Sequence, residues 1–178
     1  MPDYIKFYNL ERYLFEEVKQ RFHESGELSS LDFFLILHWK SPRARTKARD
    51  RLKNIVRGSF DQATKEIAMS LHQAPDSEER LKILMQRWQF RLPTATAILT
   101  VLYPDDFTIY DVRVRDVIGF DPIKETYSEA DWPQTWDAYI GFKKRVIEEA
   151  PSSLSLRDKD RHLWGKSLSN KIEHDLRG

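Results

Sequence analysis

Apolar residues recur at helical spacing along nearly the whole chain. Leu10, Tyr13, Leu14, Val18 and Phe22 fall on one stripe, which predicts a helix from an Asn9 cap to about Glu24, ended by Ser25-Gly26. Leu31 to Lys40, with Phe33, Phe34, Leu35, Ile36, Leu37 and Trp39, is apolar nearly all round, so a helix capped by Ser30 is expected in the core. Ser41-Pro42 carries a cap-plus-first-turn signature for a third helix, whose narrow stripe of Ala44, Ala48, Leu52 and Ile55 ends at Gly58. Ser59 with Gln62 reads as a capping box for the next, which turns Phe60, Ala63, Ile67, Ala68 and Leu71 inward. Beyond the Ala74-Pro75-Asp76 turn, Ser77 is expected to cap a helix bearing Leu81, Leu84, Met85 and Trp88.

Pro93 suits the first turn of a helix, and the run from Thr94 to Leu102 is apolar on almost every side, so a centrally buried helix is expected there, stopped by Tyr103-Pro104. Phe107, Ile109 and Tyr110 form a short, partly buried connection, and Phe107 to Tyr110 is the single strand candidate. Asp111 then stands at the start of a helix with Val114, Val117 and Ile118 on its apolar face and Gly119 at its C-terminus. Asp121-Pro122 turns the chain. Asp131 and Pro133 open a helix carrying Trp136, Tyr139, Ile140, Phe142, Val146 and Ile147, which ends near Ala150-Pro151. Ser155 with Asp158 opens the last helix, with Leu156, Leu163, Trp164, Leu168, Ile172 and Leu176 on one face. The fold class is all-α, with about nine or ten helices.

A chain of 178 residues with 40% apolar content is expected to form one compact domain over 1–178, or two small lobes sharing a core. In the two-lobe version about 30–90 makes one lobe, and the N-terminal helix with 91–178 the other. Cysteine is absent, which removes disulfides, iron–sulfur clusters and thiolate metal sites together. His23, His38, His72, His162 and His174 show no ligand spacing, so no metal is expected, and His38 reads as a hydrogen-bonded core histidine. With no glycine-rich phosphate loop, no cofactor is expected either. Met1-Pro2-Asp3 does not open a targeting segment and no apolar run has transmembrane length, so the expected setting is cytoplasmic with no membrane partner.

Charge changes the picture more than composition does. The net charge is only +1, yet Lys40 to Arg57 holds eight basic residues against one acid, while Pro104 to Asp137 holds nine acids against three bases. A basic helix in a near-neutral chain suggests an anionic partner, DNA among them; a solvated face with its cations paired elsewhere is the bland alternative.

Asp111, a carboxylate at a helix N-terminus, is either a cap, accepting from the Arg113 or Val114 N–H, or a catalyst. The surrounding stretch resembles the helix-hairpin-helix (HhH-GPD) DNA glycosylase superfamily, in which a hairpin L-P-G-V-G-x-K/x-T-A leads into an apolar helix, a short loop and a catalytic Asp in a pattern like V-D-x-x-V. Thr94-Ala95 matches the T-A pair, Ala97-Ile98-Leu99 the apolar helix, and Tyr110-Asp111-Val112-Arg113-Val114 the Asp motif, with 18 residues from Thr94 to Asp111 counted inclusively. The hairpin departs from the pattern: Arg87-Trp88-Gln89-Phe90-Arg91-Leu92-Pro93 has no glycine, and Pro93 stands where lyase members carry their Schiff-base lysine.

The resemblance implies a glycosylase-like arrangement and a monofunctional DNA N-glycosylase, a base-excision-repair hydrolase without lyase action. Asp111 would stabilise the positive charge that develops on the sugar. An extruded base would need aromatic walls, for which Trp39, Trp88, Phe90 and Tyr110 are candidates, each with core packing as its alternative. Lys40, Arg43, Arg45, Lys47 and Arg49 near the basic helix, and Arg91, Thr94 and Thr96 where the buried helix begins, are candidate phosphate contacts. A non-catalytic nucleic-acid or protein adaptor that retains the fold is the rival reading, and an all-α scaffold without a nucleic-acid role is a third.

Overall fold

The computed structural model describes residues 4–125 and 128–178; the reading of Met1-Pro2-Asp3 lies outside the described residues. Among them the chain forms ten helices and no strand. Phe107 to Tyr110 is neither helix nor strand, because among the described residues no second extended segment offers it a ladder. The helix over 10–25 widens into a π turn at Tyr13–Val18, and the helix over 77–87 does so at Ile83–Arg87. The chain divides into two compact units, Met1–Tyr103 and Pro104–Gly178, so the N-terminal helix falls in the same unit as residues 30–90.

In the first unit the helix Leu92–Leu102 is central. Against it pack Ser30–Lys40, the Tyr13–Val18 and Lys19–Ser25 parts of the helix over 10–25, and both halves of the helix over 77–87. It can be buried on every face because its polar side chains are satisfied internally: the Thr96 hydroxyl donates to Leu92 O (2.8 Å) and the Thr100 hydroxyl to Thr96 O (2.7 Å). Its last carbonyl, Leu102 O, meets His23 Nε2 at 2.6 Å. Nearby, Tyr103 Oη donates to Leu71 O (3.1 Å), and Arg80, lying 4.3 Å over the Tyr103 ring, donates to Leu71 O and Ala74 O. These cationic and hydroxyl groups satisfy carbonyls that a helix end would leave orphaned.

A second polar cluster joins the helix over 10–25 to Ser30–Lys40. Buried Asp32 accepts from Tyr13 Oη (2.7 Å), Arg21 Nη2 (2.9 Å) and Ser29 Oγ (2.7 Å). Burial alone would push the Asp32 carboxyl up, but the hydrogen bonds from Tyr13, Ser29 and Arg21 outweigh it and hold it below its ordinary value.

Several helix starts fall elsewhere than the sequence suggests. Ser29, not Ser30, caps Ser30–Lys40, and Asp76, not Ser77, caps Ser77–Lys82. Ser41-Pro42 forms a turn, and the basic helix runs over Arg45–Val56 with no side-chain cap, leaving Ala44 exposed and off the stripe. Asn9 and Asp131 make no capping bond. Ser59, Asp111 and Ser155 do cap as expected. The left-handed residue that ends the basic helix is Arg57 (φ 51°), not Gly58.

In the second unit Val112–Val117 and Trp132–Glu149 both pack on Leu156–Arg177. Phe107, Val114, Ile118, Trp132, Tyr139, Phe142, Val146 and Leu163 fill the core. Tyr139, fully buried, donates to Thr108 O (3.0 Å) and accepts from Thr108 N (3.1 Å), and burial pushes its phenol pKa up. The Lys159 ammonium donates to Ile147 O, Ala150 O and Pro151 O, closing the end of Trp132–Glu149. Two expected inward faces are corrected. Ile140 and Ile147 are exposed, because the buried row of that helix is Trp132, Thr135, Tyr139, Phe142 and Val146. On the last helix Leu163 is buried, whereas Trp164, Ile172 and Leu176 are exposed: among the described residues no segment covers its second half.

Candidate functional site

The helix over 77–87 and the helix Leu92–Leu102 are joined by residues 88–91 alone. The reversal is made without glycine. Trp88 N donates to Ile83 O, Phe90 N reaches back to Leu84 O (2.9 Å), and Gln89 between them takes the left-handed conformation at φ 55°. This is the C-terminal motif that glycine usually supplies, performed by a glutamine at a conformational cost. The two aromatic residues of the link then turn inward. Trp88 is fully buried, with Arg87 4.9 Å over its ring, and its indole N–H meets no acceptor among the described residues. Phe90 lies edge-on to Phe33 with Arg51 5.0 Å over its ring.

Both rings are therefore core side chains, and neither is open to stack on a base. Tyr110 is also buried, its hydroxyl accepting from Ile123 N (2.7 Å) and its ring edge-on to Phe142. Trp39 is half-buried, edge-on to Phe15 at 5.5 Å. His38 is half-buried and its ring makes no hydrogen bond among the described residues, against the expectation of a bonded core histidine.

Of the proposed phosphate contacts, Thr96 is removed: it is fully buried and its hydroxyl is committed to Leu92 O. Arg91 is exposed and extended at the helix start, and Thr94 is half-buried. The Thr94 and Ala95 N–H groups both return to Arg91 O at 2.9 Å, and Pro93 has none, so this end has few donors left for an anion.

The basic helix presents two kinds of cation. Arg45 lies 5.9 Å over the Phe34 ring and donates to Pro42 O, and Arg49 pairs with Asp50 at 2.8 Å. Arg43, Lys47, Lys53 and Arg57 are exposed and make no ion pair among the described residues. Lys40 is half-buried where the preceding helix ends.

Asp111 belongs to the second unit. Its backbone is extended, its Oδ1 accepts from Arg113 N at 3.0 Å, and the residue is half-exposed, so the carboxylate caps Val112–Val117 without being shut inside the core. Gly119 closes the same helix at φ +60°, with Phe120 N donating to Arg115 O. Between them the Arg113 guanidinium lies 5.1 Å over the ring of Trp164, which is 41% exposed. That pair is invisible in the sequence, since the partners come from helices far apart in the chain. No protein-family model matches the chain, and neither a curated protein nor a solved structure matches it.

Proposed function

We propose that this is a DNA-binding protein of the helix-hairpin-helix glycosylase type, and that Asp111 supplies the carboxylate for monofunctional hydrolysis of the N-glycosidic bond to a damaged or mispaired base. The observation that carries the reading is the state of Asp111: it follows the buried Leu92–Leu102 helix at the interval the resemblance calls for, and it is half-exposed rather than buried. The Arg113 N–H fixes one carboxylate oxygen relative to the start of the helix. Near C1′ the carboxylate would stabilise the oxocarbenium-like transition state and orient the attacking water. The cations Arg43, Lys47, Lys53 and Arg57, unpaired among the described residues, supply the sequence-independent hold on the backbone.

Two observations favour the adaptor reading. Trp88, Phe90 and Tyr110, three of the four aromatic walls, are buried, and the link contains no glycine. Base release from a panel of duplexes carrying deaminated, alkylated, oxidised or mismatched bases separates the two. Wild type should release at least one base, and Asp111→Asn should release none while binding the same duplexes as tightly. Asparagine caps as well as aspartate, so the fold is kept. If wild type releases nothing across the panel, the enzymatic reading is wrong and the adaptor reading stands.

A further inference from the structure

We infer that the Arg113–Trp164 pair is a docking platform for one unstacked nucleotide, the indole receiving the base and the guanidinium the neighbouring phosphate. This rests on the DNA reading and adds a specificity element to it.

Three observations lead there. Trp164 is the one exposed Phe, Tyr or Trp among the described residues of the second unit, so its ring is held at the surface instead of joining Phe107, Tyr139 and Phe142 in the core. Arg113 sits 5.1 Å over that ring. Its guanidinium, unlike those of the other arginines of the unit, has no carboxylate: Arg115 pairs with Asp116, Arg145 with Glu149, Arg157 with Asp160, Arg161 with Asp158 and Arg177 with Glu173. No hydrogen bond or ion pair to the Arg113 guanidinium is found among the described residues. A guanidinium left unpaired in an acid-rich stretch, set over an exposed indole, offers a fork of N–H donors beside a π surface.

A nucleotide is the ligand that uses both at once, through its base and its phosphate. The acid-rich sequence that carries Arg113 favours a contact with one such unit. Pro104 to Asp137 holds nine acids against three bases, so Arg113 is one of few cations in that stretch able to take a phosphate. Asp111 lies two residues from Arg113 and holds its backbone N–H, so a nucleotide docked on this pair is delivered to the turn that carries the proposed carboxylate.

The test is fluorescence anisotropy with two labelled duplexes, one fully paired and one with a single mismatched pair whose base unstacks readily. Wild type should prefer the mismatched duplex. Trp164→Ala and Arg113→Gln should each cut that preference by about tenfold, the range of aromatic stacking on a base, and leave paired-duplex affinity unchanged. Trp164→Phe, which keeps a ring, should retain most of the preference and guards against a folding defect in the alanine variant.

Equal loss on both duplexes, a wild type without preference, or a preference that survives Trp164→Ala overturns the inference. So does sedimentation showing that Trp164→Ala dissociates an oligomer, because the ring would then belong to a protein contact continuing along Ile172 and Leu176. Failure here is distinguishable from failure of the enzymatic reading. Absence of base release with an intact Trp164-dependent preference rejects catalysis alone, whereas base release independent of Trp164 rejects the platform alone.

Discussion

Replacing Asp32 by alanine should destabilise the first unit by about 2–4 kcal/mol, and the structure says where that comes from. The carboxylate takes hydrogen bonds from Tyr13, Arg21 and Ser29 at 2.7, 2.9 and 2.7 Å. Tyr13 is 6% exposed, so its hydroxyl proton is left without an acceptor, at a cost of about 1–3 kcal/mol. The Arg21 side chain is 47% exposed and turns to water, so its share is about 0–1 kcal/mol. Asp32→Asn keeps an oxygen for Tyr13 and removes the charge, and should cost less. Urea unfolding followed by far-UV circular dichroism measures both variants.

The same experiment has a pH arm. Because Asp32 is held below its ordinary value in the folded protein, it binds a proton more readily when unfolded. Its contribution is therefore fully present above the unfolded pKa of about 3.9 and is lost as pH falls through the folded value. The gap between wild type and Asp32→Asn should narrow below about pH 4. A gap that is the same at pH 7 and pH 3, or an alanine variant costing under about 1 kcal/mol, would refute the account. Tyr13→Phe in the Asp32→Ala background should add little, since the two share one bond.

Gly26→Ala should lower the thermal midpoint clearly, since the residue sits at φ +72° and an added Cβ would lie 2.9 Å from the His72 ring; the left-handed conformation alone costs about 1–2 kcal/mol. Gln89→Gly should raise stability by up to about 1 kcal/mol by relieving φ 55°, and an unchanged melt would mean that the link is held there by something other than its backbone. For DNA, replacing Lys47, Lys53 and Arg57 together by Gln should reduce the slope of log affinity against log salt by about 0.9 for each phosphate these cations neutralise in the wild type, whereas Arg45→Gln and Arg49→Gln, already engaged with Phe34 and Asp50, should change it less. A slope unmoved by the triple variant takes the basic helix out of the interface.

The helices were readable in the sequence because their apolar spacing is local, and the caps nearly so. Where two cap-competent residues adjoin, the third residue onward decides. Ser29 wins over Ser30 because Asp32 follows at the right interval, and Asp76 over Ser77 because Glu79 does; Ser59 with Gln62 and Ser155 with Asp158 obey the same rule. What could not be read is what depends on the rest of the chain. The stripe from Trp164 to Leu176 has a buried-looking period, but periodicity says nothing of whether a second surface exists to cover it. Left-handed Gln89 and Arg57 are hidden because those residue types argue against the conformation. Trp88 and Phe90 were candidate walls by their nearness to the link, with core packing as the alternative, and both are buried beside the reversal at Gln89.

Asp111 was legible as a cap, and its capping bond makes the cap and the catalyst separable. The capping bond runs from Arg113 N to Oδ1 at 3.0 Å, on a helix of 6 residues. Asparagine and serine can make the same bond without charge; alanine cannot. Asp111→Asn and Asp111→Ser should therefore unfold at the wild-type denaturant midpoint within a few tenths of a kcal/mol, and Asp111→Ala about 1 kcal/mol earlier. Activity should follow a different order, absent in all three, because none carries the negative charge that a developing oxocarbenium ion needs. Were Asp111→Ser to keep activity, the carboxylate would be a cap and nothing more, and the chemistry would have to be sought elsewhere in the second unit.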